Sequence, residues 1–322
     1  MNQGGAALYI LGFDIGGTKC AVITAEWDGQ EIKLLKKDKC ATDHTIGAYE
    51  MIDKMIAMAD GILDKKPDKI GISCGGPLDS KKGIIMCPPN LPKWDNIEIV
   101  KKLEDYYGVS AYLQNDANAC ALAEWKFGAG KGFENMVFLT FGTGMGAGLI
   151  LNGKLYEGTN GNAGEVGHIR MAQSGPIGYG KAGSFEGFCS GGGIARLGVQ
   201  LAHERIANGE YPLYLQKGMN VSDVTAKSIA EAAKRGDSVA KEVYRISGEY
   251  LGKGLSILID ILNPEAIVIG SIFERDGELL LKPMKEQIEK EALSISARVC
   301  KILPAKLGNS IGDLAAIAAI FM

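Results

Sequence analysis

Apolar and polar positions fall in blocks along this chain, and the period of the blocks changes. Residues 7–13 (ALYILGF), 18–25 (TKCAVITA) and 31–37 (EIKLLKK) read as three strands, joined by turns at Gly16-Gly17 and Asp28-Gly29. Asp-Gly between apolar runs predicts a two-residue hairpin. From 45 to 64 the period lengthens. Ala48, Ile52, Met55, Ala59 and Ile62 recur at three- and four-residue steps, which predicts an amphipathic helix. A short buried strand at 69–74 runs into Gly75-Gly76-Pro77, followed by a helix over 96–107 and a strand at 111–114. The middle predicts a helix at 117–127 and strands at 135–141 and 147–158 around a glycine turn. The last third is mainly helical, over 190–207, 222–235, 237–262, 278–294 and 313–322, with strands at 266–270 and 299–305.

Two stretches share one plan. Residues 11–29 and 138–153 each read strand, Gly/Thr turn, strand, then an Asp-Gly or Asn-Gly turn. Such a repeat predicts two related lobes, with a ligand held where they face one another.

Composition narrows the function. Lys and Arg number 35 against 38 Asp and Glu, for a net charge of -3. The basic excess of a nucleic-acid binder is missing. No apolar run reaches the roughly 18 residues of a membrane span, and residues 1–11 lack a basic segment, so neither membrane insertion nor secretion is expected. Seven cysteines, at 20, 40, 74, 87, 120, 189 and 300, form no C-x-x-C pair and read as reduced cytoplasmic thiols. Glycine occurs 44 times in 322 residues, about twice the usual share. The glycines cluster at 16–17, 75–76, 142–148, 158–167 and 187–193. Clusters between strands suit backbone that approaches a ligand closely.

Four clusters carry candidate chemistry. In Asp14-Ile15-Gly16-Gly17-Thr18-Lys19, bare amides and the Thr18 hydroxyl suit phosphate, and Asp14 suits a hydrated Mg²⁺ bridging phosphates. The same residues also fit an ordinary hairpin, and Lys19 fits a solvent-facing lysine. Gly142-Thr143-Gly144 offers a second such turn. Neither G-x-x-x-x-G-K-[ST] nor a G-x-G-x-x-G after a strand is present. Asp116, after a strand and opening a helix, fits either an N-cap or a general base, with Asn115 beside it to orient a substrate. Glu165 and His168 sit in a glycine-rich loop. One Glu-x-x-His does not make a di-metal site, which needs two copies on bundle helices, whereas the pair suits sugar hydroxyls. Glu186 is a third polyol candidate.

In this order the motifs FDIGGTK (13–19), GISCGGPLD (71–79), NLPKW (90–94), NDANACALAE (115–124), TFGTGMGAGLILNGKLYEG (140–158) and NAGEVGHIRM (162–171) resemble the ROK family of sugar kinases, in the actin–hexokinase–Hsp70 superfamily. The resemblance implies an α/β, two-lobed, actin-like ATPase (ribonuclease H-like) fold with an interlobe cleft. Residues 1–116 plus 306–322 would form one lobe and 117–305 the other. It places the catalytic aspartate on Asp116 and the sugar ligands on Gly76, Asn90, Asn115, Glu165, His168 and Glu186. The phosphate turns fall on Asp14 to Lys19, taking in Gly16, Gly17 and Thr18, and on Thr143 and Gly144, with the adenosine side near Gly270. ATP and Mg²⁺ are the implied cofactors, a small sugar the partner, and a homo-oligomer the assembly. The family's zinc motif, C-x-C-G-x-x-G-C, aligns with residues 177–184, where all three thiolates are missing, so no zinc is expected. Tyr179 and Phe185 are expected to brace that loop instead.

The resemblance implies an ATP-dependent hexokinase acting at a primary hydroxyl, O6, of a glucose-like sugar or N-acetylhexosamine. Two other readings are a sugar-responsive transcriptional repressor and a sugar-binding protein without turnover. With the first turn already at Asp14, no DNA-binding segment is expected ahead of it, and the retention of Asp14, Asp116 and both turns points to turnover.

Overall fold

The computed structural model describes residues 7–322. In chain order it runs β1 (Leu8–Ile15), β2 (Lys19–Trp27), β3 (Ile32–Ala41), α1 (Ala48–Ile62), β4 (Lys69–Cys74), β5 (Leu78–Asp79), β6 (Ile84–Ile85), α2 (Ile99–Tyr107), β7 (Ala111–Asn115) and α3 (Asp116–Phe127). Next come β8 (Met136–Phe141), β9 (Met145–Leu151), β10 (Lys154–Leu155), β11 (Ile177–Gly178), β12 (Lys181–Ala182), α4 (Phe185–Phe188) and α5 (Gly191–Ile206). The remainder is α6 (Ala226–Lys234), α7 (Ser238–Leu262), β13 (Ala266–Ile269), α8 (Ile272–Glu291), α9 (Ser294–Val299), β14 (Lys301–Pro304) and α10 (Ile311–Ala318). Contacts divide the chain into two units. One holds the described residues up to Glu134 with Gly148–Ala163 and Leu307–Met322, the other Asn135–Ala147 and Gly164–Lys306.

In the first unit the strands lie in the order β3-β2-β1-β4-β7. β2 and β3 are antiparallel additions, whereas β1, β4 and β7 run parallel. β1 is central and nearly continuously buried, as expected for a strand covered on both faces. β3 is the edge, and its exposed Lys33, Lys36, Lys37 and Lys39 discourage further strand addition. Side chains alternate along β1 and β2. Leu11, Phe13 and Val22 face Ile52 and Met55 of α1, while Ile10, Ala21 and Ile23 face Ala316 and Ile317 of α10.

Two cross-strand glycines seat α10. Gly12 of β1 is paired in register with Gly71 of β4. A Cβ on Gly71 would lie 2.0 Å from the Ala316 carbonyl oxygen, and one on Gly12 2.9 Å from Ile317 Cδ1. The missing side chains therefore form a slot in which the helix backbone lies directly on the sheet.

In the second five-stranded sheet β8, β13 and β14 are parallel neighbours, and β9 flanks β8 on the other side. The order β9-β8-β13-β14 repeats β2-β1-β4-β7, and β10 pairs on β9 as β3 pairs on β2. The repeat expected from residues 11–29 and 138–153 is therefore a repeat of topology. Ile267, Val268 and Ile269 are fully buried, as are Leu251 and Leu255 of α7 and Leu280 of α8.

Several local expectations are corrected. The Asp28-Gly29 connection is a four-residue turn, because Asp28 Oδ1 accepts both the Gln30 and Glu31 amides at 2.8 Å. The apolar run at 147–158 is divided into β9 and β10 at the Asn152-Gly153 turn that the repeat predicts, with positive φ at both residues. The helix expected at 278–294 starts at Ile272, since Gly277 is tolerated inside α8 against the Phe273 ring. The helix expected at 222–235 opens as a 3₁₀ turn and becomes α-helical only at Ala226, where Thr225 caps it. The expected lobe boundary at 116/117 differs from the contact division. α3 stays with the first unit, packed on α10, and Gly148 lets it approach to a would-be Cβ distance of 2.4 Å from Ala121.

Candidate active site

The first unit contains a pocket of about 170 Å³ lined by Asp14, Ile15, Gly16, Gly17, Ser73, Cys74, Gly75, Gly76, Pro88, Pro89, Asn90, Leu91 and Asp116. Six residues singled out from the sequence, Asp14, Gly16, Gly17, Gly76, Asn90 and Asp116, line it together. The parallel strands explain this. Asp14 and Ile15 end β1, Cys74 ends β4 and Asp116 follows β7, so all emerge at the carboxyl edge of one sheet. Asn90 is carried by a loop that the buried Leu91 and Trp94 anchor. A Cβ on Gly17 would lie 2.6 Å from both Asn90 Cβ and its carbonyl oxygen, so only glycine admits that loop.

The turn after β1 is tied down through its carbonyls. Gly16 O accepts from Thr42 Oγ1 at 2.6 Å, Gly17 O pairs with His44 Nε2 at 2.8 Å and Thr18 O accepts from the Thr42 amide at 3.0 Å. Among the described residues the amides of Gly17 and Thr18 donate to no protein group. A turn fixed by its acceptors and open at its donors is prepared for an anion. Thr18 and Lys19 are exposed and do not line the pocket.

Asp14 is held between opposing charges. Burial, followed by the charge of Asp313, pushes its carboxyl up to about 6, while Lys19 and Lys37 pull it down and Asp116 adds to the rise. Asp313 is itself held by Lys37, at 2.6 and 2.7 Å. Among the described residues no group of three or more His, Cys, Asp or Glu could hold a metal ion. A crowded pair of carboxylates without a cage fits a divalent cation that arrives with a nucleotide and keeps its waters.

At the β7–α3 junction the cap is not Asp116. Asn115 is the N-cap, its Oδ1 accepting from the Asn118 amide at 2.8 Å. Asp116 is the first helical residue, and its Oδ1 accepts the adjacent Ala117 amide at 2.8 Å. Its surface opens to the pocket, yet the protein crowded around it raises the carboxyl above the ordinary range through desolvation. Asn115 itself is half-buried, and its capping duty leaves the Nδ2 amide to donate.

The second unit holds the other candidates. The turn 142–144 joins β8 to β9, and the amides of Thr143 and Gly144 donate to no described group. Glu186, in α4, reaches this turn. Its Oε2 accepts the Met145 amide at 3.0 Å, and a Cβ on Gly144 would stand 2.8 Å from the same oxygen. Glu165 and His168 flank a 3₁₀ turn held on β9 by the Ala147 amide donating to Gly164 O at 2.8 Å. Their side chains are exposed, with His168 Nε2 4.0 Å from Glu165 Oε2. Gly270 ends β13 and is buried, and a Cβ there would stand 3.3 Å from Phe138 Cζ. Ser271, next to it, has φ +57°, a conformation that normally belongs to glycine.

The hairpin of β11 and β12 stands where the zinc motif aligns. Lys181 Nζ donates to His168 O at 2.7 Å, and Arg170 Nη1 donates to Ala182 O at 2.8 Å. Tyr179 meets the His168 ring edge-on at 5.0 Å but is 73% exposed, so it covers the histidine more than it anchors the loop. Phe185 is fully buried, against Gly254, and does anchor it.

Sequence reasoning missed Asp313, Lys37 and His44. Asp313 stands in the first turn of the apolar helix α10. Only the Gly12–Gly71 slot brings it toward Asp14. No local pattern links His44 to Gly17.

Comparison with known proteins gives a consistent relation. The model of the ROK family matches residues 10–320. A glucokinase of Halalkalibacterium halodurans is 36% identical over 313 residues, covering 94% of this chain and 92% of its own. The structure of a ROK family glucokinase from Streptomyces griseus in complex with glucose and AMPPNP superposes with a TM-score of 0.74 at 32% identity, covering 96% of this chain and 98% of the other. A xylose repressor of Caldicellulosiruptor bescii is 29% identical over 322 residues, covering 97% of this chain and 77% of its own. The chain belongs to the ROK family.

Proposed function

We propose that this chain is an ATP-dependent sugar kinase that phosphorylates a hexose, glucose-like or an N-acetylhexosamine, at the primary hydroxyl O6. Family membership and the glucokinase relatives support the activity. The observation that carries the mechanism is Asp116. It is relieved of capping by Asn115 and lines one pocket with Asp14 and the open turn at Gly16-Gly17.

In this reading the substrate nucleotide arrives with Mg²⁺. The amides of Gly17 and Thr18, and those of Thr143 and Gly144, receive phosphate oxygens. Asp14 would hold the Mg²⁺ of the nucleotide, which would neutralise phosphate charge; Lys19 adds positive charge, and Gly270 borders the adenosine. Asn115, Glu165, His168 and Glu186, with Gly76 and Asn90, fix the sugar hydroxyls. The O6–H proton passes to the Asp116 carboxylate as O6 forms its bond to the γ-phosphorus and the bond to the β-phosphate oxygen breaks, leaving ADP. Excluding water favours the sugar as acceptor.

ADP release measured against a panel of hexoses and N-acetylhexosamines tests this. Turnover with at least one hexose is expected, falling by roughly 10²–10⁴ in Asp116→Ala. Full turnover in that variant overturns the mechanism. Sugar binding by calorimetry without ADP release favours a regulatory protein instead. A homo-oligomer and a cytoplasmic setting belong to the same reading. The seven free cysteines agree with the second.

A further inference from the structure

Gln114, the last residue but one of β7, is a fully buried polar side chain next to the proposed base. Its nitrogen donates to one partner and its oxygen accepts from two. Its Nε2 donates to Glu157 Oε1 at 2.8 Å. Its Oε1 accepts from the Asn115 amide at 3.0 Å and from Asn118 Nδ2 at 3.2 Å. An amide side chain can be turned over with little change of shape, and its partners decide which end is which. Here the Glu157 carboxylate oxygen accepts from one end, and the Asn115 N–H donates to the other, so the nitrogen faces Glu157 and the oxygen faces Asn115.

Glu157 follows β10 and is distant in sequence from β7. The same Oε1 also accepts from Ser80 Oγ at 2.5 Å, just after β5. Its own carbonyl accepts the Ala163 amide at 3.0 Å, which closes the loop that carries it. A relay thus runs from Ser80 and Glu157 through Gln114 to Asn115 and Asn118. Asn115 and Asn118 are the two ends of the α3 cap. Asp116 lies between them.

We propose that Glu157 is a positioning residue for the Asp116 carboxylate. By fixing the sense of the Gln114 amide it locks the β7–α3 junction and so the direction in which Asp116 leaves the helix. It does not line the pocket that holds Asp116. The inference rests on the reading of Asp116 as general base. Misplacing a reacting group by about 1 Å costs on the order of a hundredfold in rate, so the effect belongs in kcat.

The test is steady-state kinetics on the full chain with ATP and the best hexose. Glu157→Leu, which keeps the bulk and removes the acceptor, is expected to lower kcat ten- to a hundredfold, with KM for sugar and ATP within threefold. Glu157→Gln, whose carbonyl still accepts from Ser80 and Gln114, is expected to rescue kcat to within threefold of wild type. Gln114→Glu sets carboxylate against carboxylate and is expected to resemble Glu157→Leu. Combining Gln114→Glu with Glu157→Gln exchanges donor and acceptor across the pair and is expected to recover kcat. Wild-type kcat in Glu157→Leu, or failure of the double substitution to recover although it melts like wild type, overturns the proposal. If Glu157→Leu does not fold, the Gln114→Glu single and the double substitution carry the same decision. Asp116→Asn run in parallel separates the two readings. An active Asp116→Asn removes the base itself, whereas an inactive one beside a fully active Glu157→Leu removes only the relay.

Discussion

Asn115 Oδ1 accepts the Asn118 amide at 2.8 Å, so the cap of α3 and the carboxylate beside it are separate groups. Stability and catalysis should therefore separate in adjacent substitutions. Asn115→Ala is expected to lose about 1 kcal/mol of stability, the usual cost of a missing N-cap. Asp116→Asn is expected to leave the melting temperature unchanged or raised, because it removes a desolvated charge, while turnover collapses. Thermal denaturation alongside ADP-release kinetics checks both.

The raised carboxyls predict opposite trends for rate and stability with pH. A base works ionised, so kcat/KM should fall as pH drops through the raised Asp116 value, above the range of an ordinary aspartate. For Asp14 the folded value of about 6 exceeds the ordinary 3.8. The folded state then binds more protons across that window, and its stability declines as pH rises from about 4 to 6. Asp14→Asn should flatten that decline and raise the melting temperature at pH 7 by a few degrees, while impairing nucleotide use. A series of melting curves from pH 4 to 8 decides it.

Much of this could be read from the chain because it is local. Gly16-Gly17-Thr18 and Gly142-Thr143-Gly144 announce turns by composition, and their repeat in residues 11–29 and 138–153 is matched by a repeat of strand order. The start of α8 could not be read, because Gly277 resembles a helix break yet lies inside the helix. Asp313 and Glu157 could not be read either. Each reaches its partner through long-range packing, Asp313 by the slot over Gly12 and Gly71 and Glu157 by a buried amide. Neither leaves a periodic trace.

Gly144→Ala should act on Glu186 before it acts on the fold. The added methyl would lie 2.8 Å from Glu186 Oε2, and a flexible carboxylate yields more readily than backbone. Sugar affinity is expected to weaken roughly tenfold, the size of one lost hydrogen bond to a charged group, with little change in melting. Calorimetric titration of the sugar measures it.

The bracing of His168 by Lys181 predicts an outcome for metal removal. A zinc-selective chelator in the presence of excess Mg²⁺ is expected to change neither melting temperature nor rate. Lys181→Met, which releases the His168 carbonyl, is expected to raise the sugar KM severalfold with kcat within threefold. A rate that falls with the chelator would assign the loop to a metal after all.

The glycine slot that seats α10 also sets an order of events in synthesis. Asp14 leaves the ribosome early, whereas Asp313 and the helix that fills the slot emerge only after both repeats have been translated. Until then the sheet carries a bare groove at Gly12 and Gly71, and the first aspartate lacks its negative neighbour. A nascent polypeptide arrested before residue 311 would thus display Asp14 without the neighbouring charge of Asp313, its carboxyl less elevated than in the folded chain.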